Sequence, residues 1–126
     1  MNTSWILLLA LVAVVGVNGC TQYGSPAAPP PTGEVTQEIS VSGTEFSFSP
    51  STITVNQGEV IKITFTNTGS IGHNFGISQL GVRTATIPAG GTDSVIFTAS
   101  QSGTFAFDCS VPGHAVNGMT GELTVG

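Results

Sequence analysis

The chain has 126 residues, of which 40% are hydrophobic and 7% charged, which fits one small globular domain with an additional segment. Seven acidic residues against two basic ones, Lys62 and Arg83, give a net charge of −5. This balance lacks the positive surface that binds phosphate backbones, so it excludes nucleic-acid partners. Two histidines allow one metal site with a pair of imidazole ligands, but not a second copper or zinc centre of that kind.

The first predicted element is a secretory signal peptide over residues 1–19. Its apolar run from Trp5 to Val17 is shorter than the roughly 17 residues that a membrane-spanning helix needs. The run ends in Val17-Asn18-Gly19-Cys20, which resembles the lipobox of lipoproteins and implies a lipid anchor on Cys20. Ordinary secretory cleavage and an uncleaved short anchor are the alternatives. In all three cases the domain is exported, to the extracytoplasmic face of the cell membrane or to the periplasm.

Residues 20–33 are predicted to form a tether. Pro, Ala, Gly and Ser dominate this stretch, which has too little apolar content to pack a core. The segment Pro29-Pro30-Pro31 favours an extended polyproline conformation. The tether would therefore act as a semi-rigid spacer between a membrane surface and the domain that follows.

Alternation of apolar and polar residues characterises residues 34–126 and predicts β-strands. The apolar positions are Ile39 and Val41, Phe46 and Phe48, Ile53 and Val55, and Ile61, Ile63 and Phe65, followed by short runs at 75–77, 95–97, 105–107 and 123–125. Gly and Pro residues separate these runs. Seven or eight short strands in one small domain predict an all-β fold, an antiparallel β-sandwich with Greek-key connections. Because such sandwiches serve adhesion, catalysis and metal binding alike, function has to be argued from a site.

Four potential metal ligands stand out in the predicted domain, namely His73, Cys109, His114 and Met119. Four residues separate Cys109 from His114, and four more separate His114 from Met119, so one loop supplies three of the side chains. Strand parity places Cys109, Met119 and His73 on the apolar interior side of their strands. Two imidazoles, a thiolate and a thioether suit copper in both oxidation states, whereas zinc rarely accepts methionine. Trigonal His2Cys ligation with a weak axial Met describes a blue-copper electron-transfer site.

Each of these residues also has a structural explanation. A lone buried cysteine is usually a small hydrophobe, and methionine commonly fills core space. A histidine among apolar neighbours is often a hydrogen-bonded core residue, and His114 beside Pro112-Gly113 would suit an exposed turn. The metal hypothesis is favoured because it accounts for all four residues together.

A family resemblance supports the metal hypothesis and covers about residues 35–126. The opening strands of cupredoxins resemble the stretch VSGTEFSFSPSTITVNQGEVIKITFTNTG, and their copper-binding loops resemble HNFGI and FDCSVPGHAVNGMTGELTV. The resemblance implies one type 1 copper ion, with His73 and His114 as imidazole ligands, Cys109 as thiolate and Met119 as axial thioether. It also implies that Asn74 links the two ligand loops as an outer-shell residue.

The number of residues between the predicted ligands differs among cupredoxins and indicates which of them this chain resembles. The gap of four residues between Cys109 and His114 is similar to the gap in azurin, auracyanin and rusticyanin. Plastocyanins and pseudoazurins have a gap of two residues. CuA domains need two cysteines in this loop, and Ser110 to Ala115 contains none.

The predicted function is that of a blue copper protein that carries single electrons between redox protein partners, acts as a monomer and is not an enzyme. By resemblance, one edge of His114 lies near the surface as the electron port, and its apolar neighbours form a docking patch of Val111, Pro112, Ala115 and Val116. Ordinary loop packing is the alternative for that patch. For the whole protein the alternatives are a copper-binding or delivery protein, a copper nitrite reductase or oxidase domain, and a metal-free interaction sandwich.

Overall fold

The computed structural model describes residues 33–126, so the predicted signal peptide, Cys20 and almost all of the predicted tether lie outside the described residues. Nine strands make up the described part of the chain: β1 (Gln37–Thr44), β2 (Ser47–Ser49), β3 (Thr52–Val55), β4 (Val60–Asn67), β5 (Gly76–Ile77), β6 (Val82–Arg83), β7 (Thr92–Thr98), β8 (Gly103–Asp108) and β9 (Thr120–Val125). A single 3₁₀ turn, Ser78–Leu80, lies between β5 and β6. No helix within residues 33–126 has the length and apolarity to cross a membrane.

The strands form two sheets, as the predicted β-sandwich requires. The first sheet has the order β2-β1-β4-β7 and the second β3-β9-β8-β5-β6. The pairing is mixed rather than wholly antiparallel as expected, because β1 pairs parallel with β4 and β3 pairs parallel with β9. The chain leaves the first sheet as β3 and then returns beside β1 as β4, and such a crossover brings two strands together in the same direction.

The strand count and one register position also differ from the sequence prediction. The strand that the sequence did not predict is β6. It has only two residues and therefore no periodicity to detect. Phe46, expected in a strand with Phe48, lies instead in the two-residue turn between β1 and β2, where Thr44 pairs with Ser47. Its φ is 65°, and a positive φ at the second central residue of a two-residue turn is the pattern of a type II turn.

The core lies between the two sheets and contains a cluster of four aromatic rings, Phe48, Phe65, Phe75 and Phe107. Ring centroids in this cluster are 5.0 Å apart for Phe75 and Phe107 and 5.4 Å for Phe48 and Phe107. The alternation in β4 buries Ile61, Ile63 and Phe65 completely. At one end of this core, β1, β4 and β8 finish and β5 and β9 begin, so the loops that carry the predicted ligands meet there.

Candidate metal centre

The loop between β8 and β9 supplies three of the four predicted ligands. Cys109 directly follows β8, Met119 directly precedes β9, and His114 lies in the turns between them. The backbone N–H of Cys109 donates to the carbonyl of Met119 at 3.2 Å, and that of Met119 donates to the carbonyl of His114 at 3.1 Å. Gly118 has a φ of 105°, which favours glycine, and so lets the chain turn back into β9. The loop is thereby closed on itself by its own backbone.

The fourth predicted ligand, His73, lies on the loop between β4 and β5, and a buried asparagine organises that loop. The side-chain amide of Asn67 donates to the carbonyls of Ile71 at 2.7 Å and Ile87 at 2.8 Å. Its Oδ1 accepts from the N–H of Gly69 at 2.9 Å. His73 in turn pairs with Ile87 through two backbone hydrogen bonds. Asn67 was missed by sequence reasoning, and its only sequence signal is the turn-forming run Asn67-Thr68-Gly69.

Three of the predicted ligand atoms meet at one buried point. Nδ1 of His73 lies 3.1 Å from Nδ1 of His114, and Sγ of Cys109 lies 3.4 Å from the same His114 nitrogen. Potential ligand atoms of the three residues all lie within 4.8 Å of one another. His73 and Cys109 are fully buried and His114 is 7% exposed. The structure therefore brings together both imidazoles and the thiol at the positions from which a single ion can be bound.

The donor atoms of this cluster fit a single copper ion. Two imidazole nitrogens and a cysteine sulfur form the trigonal set that copper accepts in both oxidation states. The backbone N–H of Asn74 lies 3.5 Å from Sγ of Cys109 and points a donor at the sulfur, as suits a thiolate. A soft, buried, preformed His2Cys set is the chemistry of a copper protein.

Met119 is fully buried, and its backbone is hydrogen-bonded to that of Cys109 and of His114. A Cβ atom added to Gly43 would come within 3.0 Å of the Met119 methyl group and 2.6 Å of the Phe65 ring. Glycine at position 43 therefore leaves the space that the methionine side chain occupies.

Asn74 joins the two ligand loops. Its Oδ1 accepts from the backbone N–H of Ser110 at 2.8 Å, and its Nδ2 donates to Oγ of Ser110 at 2.8 Å and to Oγ1 of Thr86 at 3.1 Å. Ser110 directly follows Cys109, so these bonds connect the residue after His73 to the residue after the cysteine.

Arg83 stabilises the link between the two ligand loops by a hydrogen bond to Asn74. Sequence reasoning missed this residue. Its guanidinium donates to Oδ1 of Asn74 at 3.0 Å, to the carbonyl of Asp108 at 3.2 Å and to the Asp108 carboxylate at 2.7 Å. The side chain is 28% exposed, so this ion pair is partly screened by solvent. Its sequence signal is weak, because only its rarity as one of two basic residues sets Arg83 apart.

Glu45 contacts His73 and was also missed by sequence reasoning. Oε1 of Glu45 lies 3.3 Å from Nε2 of His73. The backbone N–H of Ser70 donates to the same oxygen at 2.6 Å and is the largest cause that lowers the pKa of Glu45 to about 2; hydrogen bonds from His73 and Ile71 act in the same direction. At neutral pH this side chain is therefore a carboxylate. The residue lies in a turn between two short strands, and the pattern around it carries no signal of this contact.

Replacing Asn74 by alanine is expected to lower the free energy of unfolding by about 1–3 kcal/mol, because the N–H of Ser110 loses its acceptor and Arg83 loses one of its own. Urea denaturation of the metal-free protein measures this effect. Asn117→Ala is the matched control, since the Asn117 side chain lies in the same loop but donates only one exposed hydrogen bond, to the carbonyl of Gly113. Equal losses in the two variants would contradict a linking role for Asn74.

Known proteins with similar sequences include copper proteins. The copper-resistant cuproprotein CopI of Rubrivivax gelatinosus is 28% identical over 97 residues, which cover 62% of this chain and 59% of the relative. The copper-containing nitrite reductase of Alcaligenes xylosoxydans xylosoxydans is 36% identical over 85 residues, which cover 59% of this chain and 26% of the enzyme. The chain therefore spans less than two thirds of the length of either relative.

A solved structure has the same fold. The auracyanin of the photosynthetic bacterium Roseiflexus castenholzii superimposes with a TM-score of 0.65 at 24% identity, over 74% of this chain and 99% of that protein. The family profile of the cupredoxin-like domain matches residues 7–125, a range that includes all four predicted ligands. Together with the buried cluster of His73, Cys109 and His114, this match shows that the chain belongs to the cupredoxin-like domain family.

Proposed function

We propose that this protein carries single electrons between redox partners by means of one type 1 copper ion. The convergence of His73 Nδ1, His114 Nδ1 and Cys109 Sγ at one buried point is the observation that carries this proposal. Met119, buried in the same loop, would add the weak axial thioether. Copper bound there supplies a one-electron couple between Cu(I) and Cu(II).

The residues of the site are suited to electron transfer because they hold the donor atoms rigidly and exclude water. His73 is fixed by its pairing with Ile87, and Cys109 by its bond to Met119. Asn74 ties the two loops together. Donor atoms that are placed before the ion arrives have little to rearrange when its charge changes. The full burial of His73 and Cys109 keeps solvent from the thiolate.

The electron would enter and leave through His114, which is the ligand with residual exposure. Its ring packs edge-on against Phe46 with a centroid distance of 5.4 Å. The proposed docking patch lies in the same loop and consists of Val111, Pro112, Ala115 and Val116, of which Val111 is partly buried against the core. Val116 is 92% exposed, which supports a small apolar contact surface of the kind that brief electron-transfer encounters use.

The location of the protein is part of the same proposal. The apolar run from Trp5 to Val17 supports export, and Cys20 is proposed as the lipid anchor, followed by the tether. The domain would then work as a monomer at the extracytoplasmic face of the membrane or in the periplasm. Apart from this anchor no membrane contact is proposed, and the net charge of −5 argues against nucleic-acid partners.

Copper binding and delivery is the second candidate function, favoured by the similarity to the copper-resistant cuproprotein CopI. A delivery protein has to release its ion readily, whereas the buried and cross-linked ligands here favour retention. An enzymatic role like that of the nitrite reductase relative is less well supported. A second copper centre bound through imidazoles would need histidines beyond the two of this sequence, because both lie in the cluster described.

Copper titration of the purified full-length protein tests the proposal. Addition of Cu(II) should produce an intense visible thiolate-to-copper band that bleaches with a mild reductant and returns on reoxidation. Electrochemistry should show a reversible one-electron couple. A colourless adduct, or a coloured one without a reversible couple, would favour the delivery function, and absence of copper uptake would leave only an interaction domain.

A further inference from the structure

We propose that Glu45 is a positioning residue of the metal centre, which selects the tautomer of His73 with Nδ1 free to bind copper and favours the oxidised ion by its negative charge. This inference rests on the copper site proposed above. Glu45 is neither one of the four proposed ligands nor the outer-shell residue Asn74.

The turn between β1 and β2 contacts both imidazoles of the site. Oε1 of Glu45 meets Nε2 of His73 at 3.3 Å, and the ring of the next residue, Phe46, packs edge-on against His114. Phe46 has a φ of 65°, a left-handed conformation that is sparsely populated for a bulky residue. Such conformations concentrate at functional sites, where the surrounding structure maintains them. The turn is therefore part of the support of the metal centre.

The contact with Glu45 determines which nitrogen of His73 carries the proton. A carboxylate only accepts hydrogen bonds, so Nε2 of His73 has to carry the hydrogen. In a neutral imidazole the other nitrogen, Nδ1, then presents its lone pair. Nδ1 is the atom that lies 3.1 Å from Nδ1 of His114, within the ligand cluster. Outer-shell carboxylates orient metal-binding histidines in this way.

The carboxylate is held in place by the loop that carries His73. The backbone N–H groups of Ser70 and Ile71 donate to the same oxygen, at 2.6 and 3.2 Å. A Cβ atom on Gly69 would lie 2.9 Å from the carboxyl carbon of Glu45, so glycine there permits the close approach. The hydroxyl of Ser70 lies 3.4 Å from it as well, so with Nε2 of His73 four donors of one loop contact Oε1 of Glu45. These contacts fix the position of the negative charge.

The fixed negative charge discriminates between the oxidation states of the ion. Two neutral imidazoles and one thiolate contribute a single negative charge, so the centre has a net charge of +1 with Cu(II) and zero with Cu(I). A nearby carboxylate stabilises the positively charged form more than the neutral one. Glu45 should therefore lower the reduction potential of the centre.

The variants Glu45→Gln and Glu38→Gln test the electrostatic part. Glutamine keeps a carbonyl oxygen that accepts the same hydrogen bonds, whereas the charge is removed. Glu38→Gln is the matched control, because Glu38 lies exposed on β1 and its substitution removes the same charge away from the site. We expect the affinity of Glu45→Gln for Cu(II) to fall about tenfold relative to its affinity for Cu(I), which makes the potential about 59 mV more positive. A potential equal to that of Glu38→Gln would overturn the electrostatic role.

Nitrogen-15 NMR of the metal-free protein at about pH 8 tests the tautomer and does not depend on copper. The wild-type protein and Glu45→Gln should show His73 with its hydrogen on Nε2, whereas Glu45→Ala should show a mixture of tautomers. A wild-type hydrogen on Nδ1, or an unchanged tautomer in a folded Glu45→Ala protein, would overturn the positioning role. If the NMR result is as expected but no reversible couple is found, the electron-carrier function fails while the role of Glu45 toward His73 stands.

Discussion

Replacing Cys109 by serine should abolish the intense visible absorption of the copper-loaded protein and leave the β-sandwich folded. The band requires a thiolate bound to copper, and a serine hydroxyl is a harder and poorer ligand for this ion. The side chains are similar in size, and the hydroxyl can still use the hydrogen-bond partners of Sγ, the N–H of Asn74 and Nδ1 of His114. Absorption spectra after Cu(II) addition and far-UV circular dichroism measure the two outcomes.

Met119→Gln is the matched control for the cysteine variant. An axial ligand binds weakly, so its replacement should keep an intense band and change the reduction potential. Persistence of the band in Cys109→Ser would reject the thiolate assignment. Complete loss of colour in Met119→Gln, with the fold intact, would contradict a weak axial role for the methionine.

Replacing Phe107 by alanine should lower the free energy of unfolding by about 3–5 kcal/mol. Phe107 is fully buried, and its ring lies against those of Phe48 and Phe75 with centroids 5.4 and 5.0 Å away. Removal of the ring opens a cavity between the two sheets that rigid neighbouring strands cannot fill. Because small domains are stable by only about 5–15 kcal/mol, the loss is a large part of the total.

Urea denaturation of metal-free Phe107→Ala measures this loss, and the slope of the transition should stay unchanged. Ile96→Ala is the control, since Ile96 lies on β7 with 43% of its surface exposed and should cost at most about 1 kcal/mol. A similar cost for both variants would show that the aromatic cluster does not dominate the core.

Strand periodicity was enough to predict that three of the four candidate ligands face the interior, although it misplaced Phe46. Cys109 was placed in phase with Phe107, and Met119 in phase with Leu123; all four are fully buried. His73, in phase with Phe75, is fully buried as well. The prediction succeeded because a strand exposes alternate side chains to opposite faces, so parity carries over into the first residues of an adjoining loop.

Contacts between distant parts of the chain were not predictable in this way. Glu45 contacts His73, which lies 28 positions later in the sequence. The Arg83 guanidinium contacts the carboxylate of Asp108, which lies 25 positions later. The parallel pairing of β1 with β4 was missed for the same reason. No local pattern marks the partner of such a contact, because the pairing depends on which strands become neighbours once the sheets have formed.

The sequence alone therefore determined the β-sandwich class and the soft donor set that suits copper, since residue type and period are local properties. Only the tertiary structure decided that the donors of His73, Cys109 and His114 share one point. It also decided that the carboxylate of Glu45 contacts His73 and that the guanidinium of Arg83 donates to Asn74. These arrangements arise because β1, β4 and β8 end at the same end of the sandwich, where residues from distant parts of the chain come into contact.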